Sequence, residues 1–248
     1  MSKDVPVAIV VAAYNEEKAA DQVADELKSQ GVDYSNLAVV RKTEGSKVKI
    51  KESGDMSFGP GAGIGAVIGG VLGLFAGPAG LVAGAAAGGA IGGTAAALHD
   101  AGIPDERLEE IGNLLKPETS ALIVILEQAE VEGEKEDLEA LDQSIEEFVE
   151  ALAADIRSYL DAGEDVAYFA AITPDGVVGK KAVVGEEATN IRGFVASEGV
   201  VAAGQVVVTE DEVVYEVGAA DDEETVYKAG VVTAEDQTAA DDSGDEDS

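Results

Sequence analysis

The chain has 248 residues, 46% of them apolar, with 50 acidic against 16 basic side chains and a formal net charge of −34. So little cationic charge excludes nucleic acid as a partner, because phosphate neutralisation needs lysine and arginine, while the apolar fraction excludes a wholly disordered acidic chain. The absence of cysteine removes disulfides, thiol nucleophiles and thiolate metal sites, and the acidic surface suits a high-salt cytoplasm that screens self-repulsion.

The first element is the continuous apolar run VPVAIVVAAY (5–14), the pattern of a buried strand. It is too short for a secretory signal and leads directly into a helical pattern. Asn15 is placed to cap that helix, which carries Ala19, Val23, Ala24 and Leu27 on one face and is closed by Gly31. Next, LAVVRKT (37–43) and KVKIKES (47–53) read as two strands around Glu44-Gly45-Ser46. Arg41, Lys42, Lys47, Lys49 and Lys51 lie here, five of the 16 basic residues. Basic residues beside an apolar segment suit anionic lipid head groups on the cytoplasmic side of a membrane; lysines guarding an exposed edge strand are the competing reading.

The segment that follows is uncharged from Met56 to Leu98 and carries a glycine register. Gly61, Gly65, Gly69, Gly73 and Gly77 step by four, and after Pro78 the step resumes at Gly80, Gly84, Gly88 and Gly92. On a helix, such a step leaves a strip bare of side chains, along which two backbones pack closely. The pattern predicts a helical hairpin at 59–98, turning at Gly77-Pro78-Ala79-Gly80 and serving helix packing and oligomerisation. A glycine inside a helix costs about 1 kcal/mol in water relative to alanine, so the hairpin requires close packing in protein or in lipid. Its arms, about 25 and 30 Å at about 1.5 Å per residue, approach the thickness of a bilayer's hydrocarbon core, although the second arm has few strongly apolar residues.

Beyond Pro104, DERLEEIGNLL (105–115) is an amphipathic helix with Leu108, Ile111 and Leu115 on one face, and SALIVILE (120–127) is another buried strand. The order β-α-β-β-hairpin-α-β predicts an α+β protein, a ferredoxin-like sandwich with the Gly-rich helical hairpin inserted. The stretch GIPDERLEEIGNLLKPETSALIVIL behind the hairpin resembles an uncharacterised bacterial and archaeal family of predicted membrane proteins of unknown function. That resemblance covers about residues 5–128. It implies membrane or envelope association and a stress role, and it supplies no catalytic residue.

The remainder begins with a long amphipathic helix over 134–163, in which Leu138, Leu141, Ile145, Phe148 and Leu152 step by three and four and Val149 and Ile156 widen the stripe toward sheet packing. DVAYFAAI (165–172) and VVGKKAVV (177–184) form a hairpin through Pro174-Asp175-Gly176. A short helix is expected near 187–198, then strands at 200–209 and 213–218 and a disordered acidic tail at 234–248. The expected organisation is thus a ferredoxin-like domain at 1–128 with its insertion, the long helix at 129–163, a small β-rich C-terminal unit at 164–233, and the tail.

No enzyme class emerges from these residues. His99 is the one histidine, and a lone histidine is most often a boundary or surface residue. The string GAGIGA (61–66) fits a loose dinucleotide fingerprint, but it follows no strand directly and has no acidic ribose partner downstream. There is no phosphate loop, zinc spacing or calcium loop. Catalytic, cofactor-binding and metal residues are therefore expected to be none, and cofactors none. The expected function is a non-enzymatic self-associating protein, assembling through the glycine hairpin at the inner face of the cytoplasmic membrane or as an oligomer core. Its partners would be itself and anionic membrane lipids. The alternative is a soluble oligomeric sensor or small-ligand-binding module with the hairpin buried in protein.

Overall fold

The computed structural model describes residues 2–29, 34, 36–53, 105–132, 135–173, 176–197, 199–221 and 224–233. The glycine register from Gly61 to Gly92, with the hairpin expected at 59–98, lies outside these residues, as does the tail at 234–248.

Ten strands form one antiparallel sheet: β1 (Ser2–Tyr14), β2 (Asn36–Lys42), β3 (Val48–Ser53), β4 (Thr119–Glu132), β5 (Asp165–Thr173), β6 (Gly176–Val184), β7 (Thr189–Ser197), β8 (Val200–Val208), β9 (Glu212–Ala220) and β10 (Thr225–Thr233). Their spatial order is β10-β9-β8-β7-β6-β5-β1-β4-β2-β3. The described helices are α1 (Ala19–Ser29), α2 (Asp105–Leu114) and α3 (Lys135–Ala162).

This architecture corrects the ferredoxin-like expectation. In that sandwich the strand at 47–53 would stand between the first two strands; instead β4 takes that place, pairing Val11 with Ile123 and Ala38 with Ile123 on its two sides, and β3 is pushed to the edge. The helices also divide between the faces. α1 packs on β1, β2 and β4 from one side, whereas α2 and α3 pack from the other. The C-terminal strands are no separate β-rich unit, because β5 pairs along β1, matching Val10 to Phe169, and the meander β5–β10 extends the same sheet. The helix expected near 187–198 is β7. Thr189, Ile191, Phe194 and Val195 favour a pleated surface and Gly193 disfavours a helix interior, while β6 and β8 supply ladders on both sides. β10 went unassigned in the sequence. Among the described residues, no helix is long and apolar enough to cross a membrane.

Alternation along β1 builds two cores. Val10, Ala12 and Tyr14 face α1 and meet Ala20, Ala24 and Leu27, together with Leu37, Leu122 and Phe169. Val11 and Ala13 face the opposite side, where Leu108 and Leu115 from the α2 region and Ile156 and Leu160 of α3 cover them. β1 and β4 are buried on both faces, which explains why their sequences are continuous apolar runs rather than alternating ones. The start of α1 is held from across the sheet. The Ser120 hydroxyl accepts the Ala20 N–H at 3.2 Å and donates to the Glu16 carbonyl at 2.6 Å. Asn15, the cap expected from sequence, instead donates its backbone N–H to Asp165 on β5 at 2.7 Å.

Candidate functional site: an uncovered sheet end

Several of the scarce cations serve as internal ties. On the β2–β3 hairpin, Asp21 of α1 holds Arg41 at 3.0 Å and Lys51 at 3.7 Å. Lys42 donates to the carbonyls of Asn113 (3.1 Å) and Leu115 (2.7 Å), where the exposed carbonyls at the end of α2 favour a cation. Lys47 follows the turn and Lys49 stands exposed on β3, the terminal strand. The five basic residues grouped in sequence thus share one edge hairpin but not one task. Lys116 treats α3 as Lys42 treats α2, donating to the Leu160 carbonyl and also to Asp161 at 2.8 Å, and this second hydrogen bond holds the Asp161 carboxyl below its usual range.

A second polar group joins α3 to the sheet. Tyr168 on β5 donates to Asp155 at 2.6 Å, and Lys181 on β6 donates to Asp155 at 3.2 Å and to the Tyr159 hydroxyl at 3.0 Å. The ammonium also lies 4.9 Å from the centroid of the Tyr159 ring and 5.8 Å from that of Tyr168. Burial, the hydrogen bond to Asp155 and its charge push the Tyr168 hydroxyl well above 10.0. Burial alone would lower Lys181, but its hydrogen bonds to Tyr159 and Asp155 outweigh that and raise it. At neutral pH the phenol is therefore neutral, the lysine charged and the carboxylate satisfied. Such a set anchors α3 to the sheet. Among the described residues, no cluster of three or more histidine, aspartate or glutamate side chains could hold a metal ion.

The distinctive surface lies at the other end of the sheet. α1 reaches β1, β2 and β4, α2 reaches β2 and β3, and α3 reaches β1 and β5; among the described residues no helix lies along β7–β10, where only the corner of Thr189, Ile191 and Val208 joins the buried core. These strands nonetheless carry apolar side chains on both faces. The face shared with α1 shows Val195, Val200, Val217 and Val226 exposed, and the opposite face shows Phe194, Val201, Tyr227 and Val231, with Val226 at 53% and Tyr227 at 66%. Cross-strand register assigns them. Val195 pairs with Ala202, Ala202 with Ala219 and Ala219 with Val226, all on the α1 side. Arg192, Gln205 and Glu216 form the corresponding ladder on the other side, with Gln205 donating to Glu216 at 2.9 Å. There the Phe194 ring crosses Gly179, where any Cβ would collide with it.

The faces differ in charge. On β7–β10, the α1-side positions hold one cation, Lys228, and no acidic residue, in a chain with 50 acidic residues. The acids cluster in the turns instead: Glu186 and Glu187, Glu210 and Asp211, and Asp221 with Glu224. Lys180 sits just inside this surface, partly buried, and desolvation lowers its pKa. Sequence reading missed the surface. The alternation of VVAAGQVVVT and VVYEVG marked strands, but only the register says which residues share a face and only the helix placement says that no described helix lies over it.

Among the described residues, fold and surface define an antiparallel β-sheet covered by helices at one end and apolar, with no helix laid over it, at the other. A family model described as "Protein of unknown function (DUF1269)" matches residues 62–155, a span that includes α2, β4 and the first three-quarters of α3. The chain is thus similar over that span to an uncharacterised family; the match begins later than the resemblance at 5–128 and runs further, into α3. No curated protein and no solved structure matches the chain.

Proposed function

We propose that this protein is non-enzymatic and self-associating, and that the uncovered end of its sheet forms the core of the assembly. One observation carries the reading: β7–β10 expose valine, phenylalanine and tyrosine on a four-stranded surface that no described helix covers. Contiguous apolar patches of more than a few hundred Å² are rare on monomers and mark interaction surfaces. The rest of the surface opposes casual association, since a net charge of −34 repels copies unless an uncharged surface is what meets. The polar groups that tie α3 to the sheet are paired within the chain, which favours a structural role over a catalytic one.

The test is the molar mass in solution by light scattering, in molar KCl, over a range of concentrations. A particle at a multiple of the 25.2 kDa chain mass is the expected result. A particle of 25.2 kDa at every concentration and salt level would overturn the reading.

A further inference from the structure

We infer that the α1-side face of β7–β10 packs against the same face of a second copy, closing a two-fold β-sandwich. This deepens the self-association reading and rests on it. The choice between the two faces follows from charge. The opposite face carries Arg192 and Glu216 in its centre, and burying such groups against a partner costs several kcal/mol per unpaired ion. The α1-side face has valine, alanine, glycine and one tyrosine across its centre, and its one cation, Lys228, lies on the terminal strand where its stem lets the ammonium reach water. An apolar centre with an acidic margin in the turns has the anatomy of a protein interface.

Size agrees with a second copy as the occupant. Four strands spaced at about 4.8 Å, each nine residues long at about 3.4 Å per residue, give a footprint of about 600 Å². Less the corner where Thr189 and Val208 are buried and Ile191 packs on the α1-side core, that footprint stays of the order of the about 800 Å² per partner of a standard interface. Two sheets stack about 10 Å apart with their strands about 30° from alignment, and the small residues Ala202 and Ala219 leave room for Val195 and Val226 of the other copy to interdigitate, while Val217 and Tyr215 lean over Gly204 and Gly230 of their own sheet. A two-fold arrangement needs a self-complementary patch, and alternating large and small side chains on one face supply it. The acidic turns of the two copies approach one another at the margins, so the sandwich tightens as salt shortens the Debye length.

The experiment compares neighbours on one strand. Ala202 and Ala203 are consecutive on β8 and point to opposite faces. Ala202→Glu and Ala203→Glu are measured with the wild type by sedimentation equilibrium in molar KCl, with circular dichroism confirming the fold. Ala202→Glu is expected to weaken association about a hundredfold or more, as loss at an interface centre does, while Ala203→Glu associates as the wild type does. In a second measurement, Ala202→Cys and Ala203→Cys carry a nitroxide, which the chain's lack of cysteine makes site-specific; the Ala202 label is expected to lose accessibility to a soluble relaxing agent as concentration rises, and the Ala203 label to keep it. An associating wild type whose Ala202 variants behave as its Ala203 variants do would overturn this inference and leave self-association standing. A wild type that stays monomeric throughout would overturn both.

Discussion

Gly112 sits in the last two turns of α2, where helix propensity and packing make opposite demands. Replacing a helical glycine by alanine gains about 1 kcal/mol of helix stability, because glycine loses more backbone entropy on folding. Here, however, a Cβ would press into both methyls of Val48 on β3 and stand 3.2 Å from a methyl of Val40 on β2. Valine is stiff at χ1 and cannot turn its methyls away cheaply, and Val40 is fully buried between β4 and the edge strand. Overpacking of this kind costs about 1–3 kcal/mol. The packing cost exceeds the propensity gain, so Gly112→Ala is expected to destabilise the protein by about 1 kcal/mol, relieved in part by an outward shift of β3. Urea unfolding in molar salt, comparing midpoints at unchanged m-value, measures it. A Gly112→Ala variant as stable as the wild type, or more stable, would refute the argument that α2 needs glycine to lie close on β2 and β3.

Three further expectations concern the cores and the lysines. Leu160→Ala removes a side chain that is 1% exposed beneath α3 and should cost about 2–5 kcal/mol by urea unfolding. Tyr168→Phe removes the hydrogen bond to Asp155 and should cost about 1 kcal/mol at neutral pH. Because the tyrosine's folded pKa is raised above 10.0, its contribution is complete below that pH and is lost as pH rises past it, so the gap between variant and wild type should narrow in strong alkali. Lys180 has the opposite sign: its folded pKa lies below 10.5, so its charge opposes folding at neutral pH and the penalty fades as pH rises toward 10.5. Lys180→Met should therefore raise the unfolding midpoint at neutral pH and lose that advantage in alkali; an unchanged midpoint at neutral pH would show that the ammonium reaches water freely.

Local chemistry made most strands legible. The runs VPVAIVVAAY and SALIVILE are apolar on both faces because they stand in the middle of the sheet, and the lysines of KVKIKES fall on a strand that ends it. Hydrophobic period marked α1, α2 and α3 as well, since each buries one stripe. What sequence could not carry was pairing. β1 and β4 are so similarly apolar that nothing local states whether β3 or β4 lies between β1 and β2. That choice is a difference in packing between whole arrangements, decided by which helices then cover which face. Gly193 within TNIRGFVAS was compatible with a broken helix until β6 and β8 offered it ladders on both sides. The bare surface is the clearest case. β8 and β9 were legible as strands while β7 read as a helix and β10 went unassigned, and which of their residues α1, α2 and α3 leave uncovered depends on where those helices, all earlier in the chain, come to rest.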